Sequence, residues 1–231
     1  MKFFSPPSHS GCIKAVLFDV FGTVVDWRGT MVKEFGRLFR QKGITEIDCE
    51  EFVEVWVSAY SKNMGEISEG KRAFTIVDEL NKLALNETLQ RYNIAGKFSE
   101  EEIEKMWMVW HRLEPWPDSV VGIDKLKKQF KVGTLSNGNI TLLEELSKNA
   151  KLEWNVILSG EQFRCYKPNP LVYQKATEEL QLEPSEILLV ASHKYDLEAA
   201  KECGYRTAYI FRILSISQGK CNNSDLGKAI F

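Results

Sequence analysis

In the stretch VLFDVFGTVVDWRG, residues 16–29, a run of branched apolar residues ends in a single carboxylate, Asp19, followed by Gly22 and Thr23. A carboxylate at the tip of a buried strand can act as a nucleophile or base, because the strand holds it still at the edge of a cleft. Three further places carry groups that could work with it. Ser136, Asn137 and Gly138 follow the apolar run KVGTLSN, Lys167 precedes Pro168, and Ser192, His193 and Asp196 follow EILLVAS. A lysine beside Asp19 would keep it ionised, and a neutral imidazole could position or activate water. Each group also has an ordinary structural explanation. Asp after a strand forms turns or caps helices, Ser-Asn-Gly is turn chemistry, Lys167 alone reads as a solvated lysine, and His193 alone as a loop histidine. Their shared position at strand ends is what argues for a site.

The elements that must position these groups alternate. IKAVLFDV, KVGTLSN, NVILSG, EILLVAS and RTAYIF are short, branched runs of the kind found in strands covered on both faces. LVYQKATEELQL and DLEAAKECG, the latter ending at Gly204, have helical spacing. That alternation predicts an α/β fold, a doubly wound, Rossmann-like parallel sheet, with ligands beyond the carboxyl ends of its strands. Residues 27–114 lack a comparable strand. TMVKEFGRLF, CEEFVEVWVSAY and FTIVDELNKLALNETL are amphipathic, and Ser99 with Glu102 forms a capping box ahead of SEEEIEKMWMVWHRL. Pro115 and Pro117 close the interval. The expected organisation is a core of residues 1–26 and 115–231 with an inserted α-helical cap, 27–114. The C-terminal SISQGKCNNSDLGKAIF has no clear period and is expected to be loosely held.

Composition narrows the function classes. The 231 residues are 44% hydrophobic and 27% charged, with a formal net charge of −2. This lacks the basic surplus expected of a nucleic-acid or acidic-membrane binder. The five cysteines (Cys12, Cys49, Cys165, Cys203, Cys221) are scattered without a C-x-x-C pair, which reads as reduced thiols in a cytoplasmic protein. No apolar run approaches the ~20 residues of a membrane span, and the N-terminal segment lacks a signal-peptide core.

Taken together, DVFGT, LSNG, YKPNPLVY and ASHKYD resemble the four ordered motifs of the haloacid dehalogenase superfamily, over residues 13 to 212. In that family the first motif carries a nucleophilic Asp, the second a Ser or Thr, the third a Lys and the fourth an acidic residue. Its phosphatases have a second Asp two residues after the nucleophile and bind Mg²⁺ through fourth-motif acids. Here those positions hold Phe21 and Ser192. A halide leaves as a stable anion and needs no proton donor, so the departure favours carbon–halogen chemistry. FDVFGTVVDWRG, SNGN and SHKYDLEAA are most similar to the metal-independent 2-haloacid dehalogenases, with FGTVVDWR similar to a branch acting on haloacetates, including fluoroacetate.

The resemblance implies hydrolysis of small 2-haloalkanoic acids to 2-hydroxy acids through an aspartyl ester on Asp19, with no metal or other cofactor. It also implies a small-molecule substrate and a homodimer. It assigns Ser136 and backbone amides near Phe21 and Gly22 to the substrate carboxylate, and Thr23 to the nucleophile loop. Asn137 falls to the halide, Lys167 to orienting Asp19, and Tyr173 to shaping the site. Asp196 would organise Lys167 and the hydrolytic water. His193 stands where relatives have Asn, either as a water-positioning group or as a partner of loop backbone. Where related sequences carry halide-binding arginines in the helix holding WVSAY, this chain has Val57, Ser58 and Ala59. Arg28 is the first candidate substitute, then Arg72 and Lys62, each otherwise a surface charge. Trp107 and Trp110 read as core, leaving Trp116 as the tryptophan to test near the site. The rival readings are a phosphatase-like hydrolase of the same superfamily and a non-catalytic carboxylate-binding relative.

Overall fold

The computed structural model of the chain describes residues 12–212. Cys221, the rest of the C-terminal segment and nearly all of the N-terminal one lie outside the described residues. The first strand, β1 (Ala15–Phe18), is buried at every position, as its unbroken apolar sequence requires for a strand covered on both faces. A two-residue strand, β2 (Val25–Asp26), leads into α1 (Trp27–Gln41), α2 (Cys49–Ser68), α3 (Val77–Arg91) and α4 (Glu100–Trp107), then a 3-10 turn at Met108–Arg112. The chain returns through β3 (Glu114–Pro115), which pairs antiparallel with β2. This small ribbon ties the two ends of the helical segment together, and nothing in the apolar pattern announces it. Next come α5 (Ser119–Leu126), β4 (Lys131–Ser136), α6 (Ile140–Ala150), β5 (Val156–Ser159), α7 (Gly160–Phe163), α8 (Pro170–Leu180), β6 (Ile187–Ala191), α9 (Lys194–Glu202) and β7 (Arg206–Tyr209).

The main sheet is parallel with strand order β5-β4-β1-β6-β7. Its connections run outward from β1 in both directions, so the crevice beyond the end of β1 is the topological switch point. Side chains alternating along β1 divide between two cores. Val16 and Phe18 join the apolar residues of the helical segment and α6. Ala15 and Leu17 pack with Val172, Tyr173 and Ala176 of α8 and with Ala200 of α9. Helices thus cover both faces of the sheet.

The helical segment has an aromatic interior. Phe35 packs on Phe52 and Trp56, and Trp56 meets Trp110 edge-on. Each fully buried side chain of this size contributes roughly 1.5–3 kcal/mol of transfer free energy. Asp26 caps α1 through Gly29 N–H and Asp48 caps α2 through Glu50 and Glu51 N–H. The expected capping box of Ser99 and Glu102 is present.

A buried polar cluster pins this segment to α6. His111 lies between the carboxylates of Asp78 (Nε2 to Oδ1, 3.0 Å) and Glu145 (Nδ1 to Oε2, 2.7 Å). Asn139 donates to Asp78 Oδ2 at 2.9 Å and accepts from the Asp78 N–H at 3.2 Å. Burial alone would lower the His111 pKa, but the two carboxylates outweigh it and raise it above the usual 6.5. Among the described residues no helix is long and apolar enough to cross a membrane.

Candidate active site

Asp19 is the first residue past β1, and its N–H donates to the Val190 carbonyl of β6 at 3.0 Å. The carboxylate is therefore set by the sheet itself. The following turn is tight: Val24 N–H bonds the Val20 carbonyl at 2.9 Å and Gly22 N–H bonds the Val25 carbonyl at 3.0 Å. Gly22 has φ +82°, a conformation that favours glycine, and a Cβ there would also crowd the His193 ring at 3.3 Å. The Gly22 amide, expected to bind substrate carboxylate, is committed to Val25 instead.

Thr23 organises the floor. Its Oγ1 donates to Asp19 Oδ2 at 2.6 Å and accepts from the Ser192 N–H at 2.9 Å. Because its one proton goes to the carboxylate, the Ser192 hydroxyl at 3.1 Å must be the donor to Thr23. Ser192, which stands where phosphatases of the family have an acid, is thus used to hold Thr23.

Lys167, in the loop before α8, is 5% exposed. Its Nζ donates to Asp19 Oδ1 at 2.9 Å and to Asp196 Oδ2 at 2.5 Å. Asp196, in the first turn of α9, also accepts from the Tyr173 hydroxyl at 2.7 Å. Burial works to raise the Asp19 pKa, yet the charges of Lys167 and His193 and the Thr23 hydroxyl outweigh it and hold it below the usual 3.8. Asp196 goes the other way, raised chiefly by burial with the Asp19 charge adding to it. The Lys167 ammonium loses stability by burial but gains more from its two carboxylates, so it stays charged.

His193 Nε2 lies 3.0 Å from the Phe21 carbonyl and 3.6 Å from Asp19 Oδ2. A carbonyl only accepts, so Nε2 carries the proton and faces Asp19 as a donor. The ring stacks on Tyr195 with centroids 5.6 Å apart. Asn137, at the end of β4, accepts the Lys167 N–H through Oδ1 at 2.7 Å. Its Nδ2 then points to Met64 Sδ of α2 and to the Lys167 carbonyl, each at 3.4 Å.

These groups face a cavity of about 460 Å³ between the strand ends and the helical segment. Asp19, Asn137, Lys167 and His193 line it from the core, Ser61, Ser68 and Glu69 add polar groups from the end of α2, and Phe21, Trp27, Val57, Tyr60, Met64 and Trp110 form its apolar side. The Phe21 ring meets Trp110 edge-on at 5.4 Å. Gly138 makes room for that ring, since a Cβ there would stand 3.0 Å from it.

The structure places several of the expected residues away from the cavity. Ser136 is fully enclosed, its Oγ accepting the Gly138 N–H at 3.2 Å, and it does not reach the cavity wall. Tyr173 is likewise fully buried and acts on Asp196 from behind. Arg28 turns outward to Glu50 (2.7 Å) and Glu54 (2.8 Å), because α2 brings those acids over it. Lys62 and Arg72 line a separate surface groove with Glu51, Glu54 and Glu66. Trp110 is core, as read, and its edge also reaches the cavity wall, whereas Trp116 donates to the Gly22 carbonyl at 3.2 Å under the Arg212 guanidinium. Trp27, Tyr60, Met64 and Tyr195 also line the cavity, and no motif in the sequence marks them. Their only signal is the helical register of α1, α2 and α9, which places them on the crevice side but does not mark them as polar or reactive.

The carboxylates present do not suit Mg²⁺, which seeks oxygen ligands in octahedral array. Asp19 and Asp196 are both bound by the Lys167 ammonium, and Ser192 supplies no carboxylate.

A family model described as haloacid dehalogenase-like hydrolase matches residues 13–204. The solved structure of the defluorinating L-2-haloacid dehalogenase Rha0230 is 36% identical, with a TM-score of 0.87, over 99% of this chain and 92% of that one. The L-2-haloacid dehalogenase of Xanthobacter autotrophicus, solved with chloropropionic acid covalently bound, is 25% identical with a TM-score of 0.75, over 89% of this chain and 81% of that one. The phosphoglycolate phosphatase of Aquifex aeolicus is 30% identical over 85% of this chain and 84% of its own length.

Proposed function

The chain belongs to the haloacid dehalogenase-like hydrolases, and from that premise we propose that it hydrolyses the carbon–halogen bond of small 2-haloalkanoic acids with Asp19 as nucleophile. The observation that carries this reading is Phe21. Two residues after Asp19, where a proton donor would serve an alkoxide leaving group, the wall is an aromatic ring packed on Trp110. A halide needs no proton, and an apolar wall strips water from it and from the nucleophile.

One Asp19 oxygen attacks the carbon opposite the halogen. The new C–O bond forms as the C–halogen bond breaks, and the halide leaves with the electron pair. Water then attacks the Asp19 carboxyl carbon, the 2-hydroxy acid departs, and the carboxylate returns with net release of a proton. Lys167 keeps Asp19 ionised and aligned, Thr23 holds its second oxygen, and Asp196 with Tyr173 keeps Lys167 in place. With its proton on Nε2, His193 supports the charge of Asp19 and the peptide at Phe21. Residues 27–114 act as a cap on the core formed by the rest of the chain, closing the crevice with α2. The covalent chloropropionate in the Xanthobacter relative supports an ester intermediate. The enzyme works in the cytoplasm as a homodimer, a setting in keeping with the four described cysteines, all free thiols.

Halide release from chloroacetate and from each enantiomer of 2-chloropropionate, measured with EDTA present, tests the reading. Turnover that survives chelation and disappears in Asp19→Asn supports it. No halide release, with p-nitrophenyl phosphate cleaved in Mg²⁺, would replace it with the phosphatase reading that the Aquifex relative favours.

A further inference from the structure

Among the described residues no arginine lines the cavity, and Lys167, its buried ammonium, is held between Asp19 and Asp196. A departing halide must therefore be met mainly by neutral donors. Two of them converge on one point. The Tyr60 hydroxyl of α2 donates to Met64 Sδ at 3.6 Å, and Asn137 Nδ2 donates to the same sulfur at 3.4 Å. The Asn137 orientation is set independently, because its Oδ1 must accept the Lys167 N–H. A thioether is a weak acceptor; Asn137 Nδ2 also reaches the Lys167 carbonyl at 3.4 Å, whereas the Tyr60 hydroxyl has, among the described residues, only the sulfur as its hydrogen-bond acceptor. Burial and the nearby Tyr166, Tyr195 and Asp19 push the Tyr60 phenol well above its usual pKa, so it keeps its proton. Its ring is fixed against Trp110 at 5.7 Å. A phenol donor short of a strong acceptor, with a second N–H beside it, is what a soft monoatomic anion would satisfy.

We propose that Tyr60 is the second donor to the leaving halide, beside the Asn137 that the family resemblance assigns to it, at the point both donors now share with the Met64 sulfur. This rests on the dehalogenase reading above and adds the helical segment's own contribution to it. As the C–halogen bond lengthens, the halide takes the electron pair and accepts the Tyr60 O–H and Asn137 N–H without proton transfer. The unbranched Met64 side chain rotates to admit it. Tyr60 thereby fills the role that the outward-turned Arg28 cannot.

The test is direct chloride binding, read from ³⁵Cl NMR line broadening of sodium chloride, in the wild type, Tyr60→Phe and Met64→Leu. Haloacid turnover is measured beside it with chloroacetate and bromoacetate. Tyr60→Phe keeps the ring and its packing, and an unchanged urea midpoint checks the fold. The expected result is chloride affinity about tenfold weaker in Tyr60→Phe, the size of one lost hydrogen bond to an anion. The kcat loss should be larger for chloroacetate than for bromoacetate, because chloride depends more on donors. Met64→Leu removes the competing acceptor and should bind chloride at least as tightly as the wild type. Absence of chloride binding in the wild type overturns the proposal. So does a Tyr60→Phe protein with unchanged chloride affinity and an unchanged ratio between the two substrates. Chloride binding that depends on Tyr60 without any haloacid turnover would uphold the halide site and remove the dehalogenase reading.

Discussion

Lys167 Nζ stands between Asp19 Oδ1 at 2.9 Å and Asp196 Oδ2 at 2.5 Å, and all three side chains are buried. One cation thus serves two anions, and neither carboxylate could keep its charge in that setting without it. Replacing Lys167 by Met should abolish halide release and cost about 3–5 kcal/mol of stability, the usual consequence of leaving buried charge unpaired. Urea unfolding and a halide assay on the same preparation check both. Lys167→Met combined with Asp19→Asn should recover part of the lost stability but none of the activity.

Asp19 is held below the usual 3.8 by Lys167, His193 and Thr23 against the opposing effect of burial. A depressed carboxyl contributes stability above its unfolded value and loses it as pH falls through the lower folded value. The acid limb of kcat/KM between about pH 4 and 8 should therefore not be the titration of Asp19. Thr23→Val removes its hydrogen bond to Asp19, and should cost about 1.5–3 kcal/mol while moving that titration upward. A pH–rate series on both proteins decides it.

Phe21→Asp places a carboxylate where phosphatases of the family have their acid, but against the edge of Trp110. Halide release should fall at least about tenfold, each 1.4 kcal/mol of lost transition-state stabilisation being one factor of ten. No phosphatase activity should appear, because Ser192 still supplies no ligand for Mg²⁺. Assays with chloroacetate and with p-nitrophenyl phosphate in Mg²⁺ are the check.

His111, between Asp78 and Glu145, has its pKa raised above 6.5 by those carboxylates despite burial. A raised histidine contributes stability that is full below its unfolded value and lost as pH climbs through the folded one. The urea midpoint should therefore decline as pH rises from 6.5, and His111→Phe should remove that dependence.

Arg28→Ala breaks an ion pair whose acids, Glu50 and Glu54, are more than half exposed. It should change stability by no more than about 1 kcal/mol and leave halide release within about twofold, since Arg28 does not touch the cavity. A substantial loss of turnover would show that the side chain swings inward during catalysis.

The amino-acid sequence alone was enough for the parallel sheet and for the strand-end groups Asp19, Thr23 and Asp196, with Lys167 in the loop before α8. Their backbone context is local: an apolar run that must be a buried strand, then a turn, then a helix start. Topology carries such strand ends to one crevice whatever surrounds them. It was also enough to show Phe21 in place of an acid and Ser192 in place of a metal ligand, because those are statements about residue type at a fixed spacing.

What only the tertiary structure decided is which side chains of the helical segment meet that crevice. Arg28 and Trp27 are adjacent in sequence, yet α1 sends Trp27 to the cavity wall and Arg28 out to Glu50 and Glu54. Trp110 stays in the core yet also edges the cavity, and Trp116 bonds the nucleophile loop without lining the cavity, placements made by the 3-10 turn and the β2–β3 ribbon. Tyr60 and Met64 look like ordinary apolar positions of an amphipathic helix until α2 is laid across the end of β4 beside Asn137. Helical periodicity tells which face is apolar, but the same apolar face serves a core and a substrate pocket alike. The rotation of each helix about its axis, set by packing among Phe35, Phe52, Trp56 and Trp110, determines which of the two it becomes.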